Sequence, residues 1–159
     1  MIERGEESLL AADVDALVNP VNTVGVMGKG LALAFKGTFP ECFEEYARAC
    51  RDGDVRIGQM HVVRRLVSPR FIINFPTKEH WRQPSRLGFI EAGLLDLAAR
   101  VRELEIASIA IPALGCGLGG LSWADVRPRI VDSFSDLPLV RVVLFEPDAA
   151  TQPQQDYRE

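Results

Sequence analysis

The sequence predicts an α/β domain built in layers, because short, wholly apolar runs of strand length alternate along the chain with longer segments of helical period. Two glycine-rich stretches fall where such a run hands over to a helix, a position at which backbone N–H groups gather anionic oxygens. The length of 159 residues suits one domain, large enough to bury about two-thirds of its unfolded surface.

Taken in order, Asp15–Asn19 reads as a buried strand ended by Pro20. Leu31–Lys36 forms a short helix stopped at Gly37, and Pro40 opens the next, with Phe43, Tyr46, Ala47 and Cys50 as its buried stripe. Met60–Arg64 and Phe71–Phe75 are strands turned about Ser68-Pro69. Leu87, Ile90, Leu94, Leu97, Val101 and Leu104 recur at steps of three and four and mark the clearest helix. Ser108–Ile111 is a fully buried strand. Ser122 caps a helix reaching about Phe134, whose first turn must start late to accommodate Pro128. Arg141–Phe145 is the last strand; residues 148–159 are polar and expected to fray.

Composition excludes several function classes. A net charge of −4 and a pI near 5.3 argue against passive adhesion to nucleic acid, leaving room only for a local basic rim. The N-terminus carries charges where a signal peptide needs an apolar core, and no apolar run spans a bilayer. Cys42, Cys50 and Cys116 are odd in number and lack metal-ligand spacing, so no metal site, disulfide framework or cofactor is expected. The expectation is a monomer in a reducing cytoplasm, without membrane association.

The first loop is NPVNTVGVMGKG, Asn19 to Gly30; the second is PALGCGLGGL, Pro112 to Leu121. Neither fits the Walker pattern, since Lys29 precedes Gly30 rather than Ser or Thr, and neither fits a dinucleotide fingerprint with its acidic ribose reader. Together with Asn74-Phe-Pro-Thr-Lys78, the stretches NPVN, GKG and PALGCG stand in the order and spacing of the macrodomain family, which the chain resembles from about Met1 to Pro147. The resemblance implies a three-layer α/β/α macrodomain, 1–147, with a mixed central sheet and an ADP-ribose cleft at the strand ends. VGVMGKG and NFPTKEHWR are most similar to the branch holding the terminal ADP-ribose protein glycohydrolase and the DNA-directed glycohydrolase antitoxins.

That resemblance makes Lys78 the catalytic residue. It acts either as an ammonium stabilising developing negative charge or as a neutral amine attacking the anomeric carbon, which needs a pKa lowered by burial or by a cationic neighbour such as Arg82. Asn22 is assigned to the distal ribose or, alternatively, to an Asx-turn closing the strand. Gly28 and Gly30 border the distal ribose and diphosphate with Thr77, while Lys29 receives no chemical role. Pro112, Gly115, Cys116, Gly117, Leu118, Gly119 and Gly120 form the diphosphate loop, with N–H groups offered by its glycines and Cys116 a partly buried filler. His80 is a proton shuttle or a surface residue, and Trp81 a cleft wall or an anchor. The basic run Arg64, Arg65, Arg70, Lys78, Arg82 and Arg86 holds a phosphate backbone if it borders the cleft.

Two departures matter. Where many macrodomains carry Gly-Asp for adenine, this chain has Glu7 and Ser8, so adenine falls to Ser8, Leu9, Glu7 or backbone groups, with Phe145 and Pro147 as apolar walls. The aspartate of the protein-directed glycohydrolase aligns with Gly119, which tilts the reading toward DNA, although the C-terminal extension frequent in that branch is almost lacking. The implied function is removal of ADP-ribose from a thymidine in single-stranded DNA or from carboxylates on protein. The alternatives are an ADP-ribose reader and an O-acetyl-ADP-ribose deacetylase.

Overall fold

The central strands are buried on both faces, and their side chains alternate between two apolar clusters, one in each helical layer. In a computed structural model, which describes residues 1–147, the strands are β1 (Ile2–Arg4), β2 (Ala16–Val21), β3 (His61–Arg64), β4 (Phe71–Pro76), β5 (Ser108–Ile111) and β6 (Arg141–Leu144). The helices are α1 (Gly30–Thr38), α2 (Pro40–Arg51), α3 (Leu87–Glu103) and α4 (Trp123–Ser133). The sheet runs β1-β6-β5-β2-β4-β3, parallel throughout except for β3 against β4. Ala16, Val18, Ile73, Ile109 and Val142 face one cluster with Ile90, Leu94 and Leu97 of α3 and Val126 and Ile130 of α4. Their strand neighbours Leu17, Ile72, Ala110 and Val143 face the other, with Phe35 of α1 and Cys42 of α2. The three-layer α/β/α class is thus present. No helix among the described residues is long and apolar enough to cross a membrane.

Several element limits differ from the sequence reading, each for a physical reason. Pro20 lies inside β2 rather than after it. The Val21 carbonyl accepts the Thr77 N–H from the β4 side, so the missing N–H of Pro20 falls on the β5 side, where pairing stops at Leu17. Pro76 likewise closes β4 beyond its last β3 partner, Asn74. Helix α1 continues through Gly37. On α2 the buried positions are Cys42 and Tyr46, while Phe43, Ala47 and Cys50 are only half-buried. Pro128 sits within α4, which starts at Trp123; Ala124 and Pro128 are both exposed, so the carbonyl that loses its N–H partner meets water. Ser122 holds the N-cap position without a side-chain hydrogen bond. Strand β1 was not foreseen: Arg141 makes paired bonds of 2.8 and 3.1 Å to Glu3 and fastens it to β6. The expected tail, 148–159, lies outside the described residues.

Candidate functional site

Strands β4, β2 and β5 end side by side, but their continuations part. The chain leaving β2 enters α1 on one face, whereas those leaving β4 and β5 enter α3 and α4 on the other. Divergence at the carboxyl ends of parallel strands opens a crevice, here about 830 Å³, within the size range of small-molecule sites. The first loop contributes Asn22, Gly28, Lys29 and Gly30, the β4 exit Thr77, Lys78 and Trp81, and the second loop Pro112 and Gly115–Gly119. Gly120 does not line it.

The first loop is organised by Asn22. Its Oδ1 accepts from the Val24 and Val26 N–H groups at 3.1 and 3.3 Å, and its Nδ2 donates to Val26 O at 2.8 Å. The fully buried Tyr46 hydroxyl lies 2.8 Å from the Asn22 carbonyl and 2.9 Å from Oδ1. The Asx-turn is therefore present, with one Nδ2 proton left for a ligand. Beyond it the first amides of α1 face the cleft, because the N-cap residue Lys29 makes no side-chain cap bond.

In the second loop the Cys116, Gly119 and Gly120 N–H groups are spent on carbonyls within the loop. Gly119 and Gly120 thus do not offer the amides expected of them; among the cleft-lining residues of this loop, the N–H groups without an acceptor are those of Ala113, Gly115, Gly117 and Leu118. Leu118 reaches over the cleft, its Cδ1 3.6 Å from where a Cβ on Gly30 would stand. Gly115 cannot carry a side chain: its φ is +74°, and a Cβ would meet Leu121 at 2.6 Å and Ser85 Oγ at 2.9 Å. Burial pushes the half-buried Cys116 thiol up to about 11, so it stays protonated at neutral pH.

Lys78 follows Thr77, whose N–H is held by Val21 O at 2.8 Å. Ser85 clips this segment to the second loop: its hydroxyl donates to the Thr77 carbonyl and its N–H to Gly119 O at 2.9 Å. Lys78 is half-buried, and its amine donates to Trp81 O at 3.3 Å in a bond open to solvent. Burial foremost, and then the Lys29 charge, lower its pKa below the ordinary lysine value. The cationic neighbour is thus Lys29 from the first loop, not Arg82. Neither the role of Lys29 nor the Ser85 clip was legible in the sequence, since both depend on contacts between separate loops.

At the other end of the cleft, across β5 and β6, stand Ser8, Leu9 and Phe145 with Glu7 and Pro147. The Ser8 hydroxyl already accepts from Leu10 N at 3.3 Å, capping a 3₁₀ turn. Glu6 and Glu146, which the sequence reading overlooked, bring further carboxylates. The basic run divides: Arg64, Arg65 and Arg70 lie at the β3–β4 hairpin, the far end of β4 from Lys78.

Comparison with known proteins agrees with this geometry. The Macro domain family model matches residues 18–130. A protein of Mycobacterium tuberculosis named "DNA ADP-ribosyl glycohydrolase" is 54% identical over 154 residues, which is 96% of this chain and 44% of that protein. The chain therefore spans less than half the length of that relative. The solved macrodomain of Mycobacterium tuberculosis DarG superposes with a TM-score of 0.91 at 55% identity, covering 93% of this chain and 99% of that one. Thermosipho africanus DarTG in complex with ADP-ribose superposes at 0.83 with 34% identity, over 88% of this chain and 40% of the other.

Proposed function

The chain belongs to the macro domain family, and from that premise we propose that it is a DNA ADP-ribosyl glycohydrolase that binds ADP-ribose in the cleft and frees it from thymidine by means of Lys78. The observation that carries this reading is the half-buried lysine of lowered pKa at the end of the cleft remote from Phe145. The diphosphate bridges the α1 N-terminus and the Gly117 and Leu118 amides, placing adenine beside Phe145 and the distal ribose beside Asn22 and Lys78. Residues of a single chain complete this cleft, so a monomer suffices, and three free thiols suit a reducing cytoplasm.

In the reaction, the neutral Lys78 amine attacks the anomeric carbon of the distal ribose. The bond to the thymine nitrogen breaks, its electron pair leaves with the base, and the base takes up a proton. Thymine is a stabilised anion, so departure does not require a carboxylic acid at position 119, where this chain has glycine. Nζ gives up a proton, the bond from the anomeric carbon to the ring oxygen breaks as that oxygen takes up a proton, and a Schiff base forms; water adds to the imine, the amine leaves, and the sugar closes again as free ADP-ribose.

The route predicts a pH signature. The free-amine fraction rises with pH, so kcat/KM climbs to a plateau whose midpoint marks the Lys78 pKa. Lys29→Met removes a lowering charge and is expected to move that midpoint to higher pH, with a severalfold lower rate on the acid side. Rate–pH profiles of both proteins check it.

The function itself is tested by side-by-side assays on ADP-ribosylated single-stranded DNA and glutamate-modified protein. Release from DNA is expected. A protein that binds free ADP-ribose yet releases none from either substrate is a reader, not an enzyme.

A further inference from the structure

Beyond Lys78 the chain turns sharply and brings Trp81 to the cleft mouth, between the half-buried His80 and the exposed Arg82. Trp81 lines the cleft and remains 40% exposed. The His80 ring lies 5.2 Å from the indole, tilted by 31°, and the Arg82 guanidinium lies 4.6 Å from the indole centroid. The turn is fastened from several directions. Glu79 O accepts from Thr23 N and Oγ1 at 3.3 and 2.8 Å, and Lys78 Nζ reaches Trp81 O. His80 Nδ1 accepts the Arg82 N–H at 3.1 Å, leaving the ring proton on Nε2, directed away from that bond. An indole fixed in this way pays little ordering entropy when a partner covers it.

Charge points in the same direction. Arg82 and Arg86 make no ion pair among the described residues, a state they share with most of the other arginines; what singles out Arg82 is its guanidinium held against the cleft-lining Trp81. A flat aromatic surface with unpaired guanidinium groups at its edge matches single-stranded nucleic acid, whose bases stack and whose phosphates seek cations. A modified carboxylate on a protein would use the cations but not the ring plane.

We propose that Trp81, with His80 and Arg82, forms a stacking ledge for the nucleobase next to the modified thymine, so that the site selects single-stranded DNA and not merely the sugar linkage. The assignment rests on the DNA reading above. Arg82 and Arg86 take the adjoining phosphates, while the modified base sits over Lys78.

The test compares kcat/KM on ADP-ribosylated thymidine mononucleotide with that on the same unit inside a single-stranded oligonucleotide. Wild type is expected to prefer the oligonucleotide. Trp81→Ala should reduce that preference by roughly tenfold to hundredfold, chiefly through KM, and Trp81→Phe should keep most of it. Equal losses on both substrates, or no preference in wild type, overturn the ledge. A second measurement is independent of turnover. With Trp123→Phe leaving Trp81 as the single tryptophan, unmodified oligothymidylate should quench the indole saturably. Absent quenching with intact DNA cleavage sinks the ledge and spares the proposed activity. Cleavage of glutamate-linked ADP-ribose alone sinks the DNA activity and the ledge with it.

Discussion

Lys78→Ala is expected to abolish release of ADP-ribose from DNA, lowering kcat/KM by roughly 10³-fold or more, while leaving the dissociation constant for free ADP-ribose within a few-fold of wild type. The separation follows from the layout. In the proposed pose the diphosphate meets backbone amides of Gly117, Leu118 and the start of α1, with Phe145 as the apolar wall at the far end of the cleft; none of these depends on the Lys78 side chain. Lys78→Arg keeps a positive charge but lacks a free amine, so it should fail nearly as completely. A variant with arginine retaining more than about a tenth of the wild-type rate would show that charge alone suffices. Borohydride during turnover should trap an adduct on Lys78 in wild type. Isothermal titration with ADP-ribose supplies the binding half of the comparison.

The second large effect is structural. Phe75, fully buried and three residues before Lys78, packs against α3 where Gly93 leaves room; a Cβ on Gly93 would stand 2.3 Å from the ring. Phe75→Ala should cost about 3–5 kcal/mol through lost burial and a cavity. At about 2–4 °C per kcal/mol for a domain of this size, Tm falls by roughly 6–20 °C. Gly93→Ala, which overfills the same spot, should cost about 1–3 kcal/mol. Because the two changes act on one packing site from opposite directions, Phe75→Leu with Gly93→Ala should be more stable than the sum of the single variants implies. Thermal melts of the four proteins decide it.

The core of this fold was readable because burial imposes period. The α3 stripe from Leu87 to Val101 and the strand Ser108–Ile111 stand where the pattern puts them. Proline misled at Pro20, since whether a missing N–H matters depends on which neighbour it would face, a property of the assembled sheet. Strand β1 escaped notice because Ile2-Glu3-Arg4 carries no apolar alternation and is held instead by the Arg141–Glu3 pair. At the site, the residues brought to the cleft were legible, as loop composition reveals where a backbone must approach a ligand. Which amides remain unpaired was not: one 3₁₀ turn, Gly117–Gly119, consumes some and spares others. The source of the depressed Lys78 pKa was hidden as well, because Lys29 and Lys78 are distant in sequence and meet only across the cleft.

The serine that joins the lysine segment to the diphosphate loop also limits how this cleft can be re-engineered. A side chain at position 119 would start 3.0 Å from the Ser85 Cβ, and Ser85 is anchored through both its amide and its hydroxyl. Grafting a carboxylate there with one codon change therefore forces Ser85 to give way by a few tenths of an ångström, and with it the segment that carries Lys78. Trimming Ser85 to make space severs the tether itself, so any redesign that adds an acid beside Lys78 must supply a replacement for that tether elsewhere.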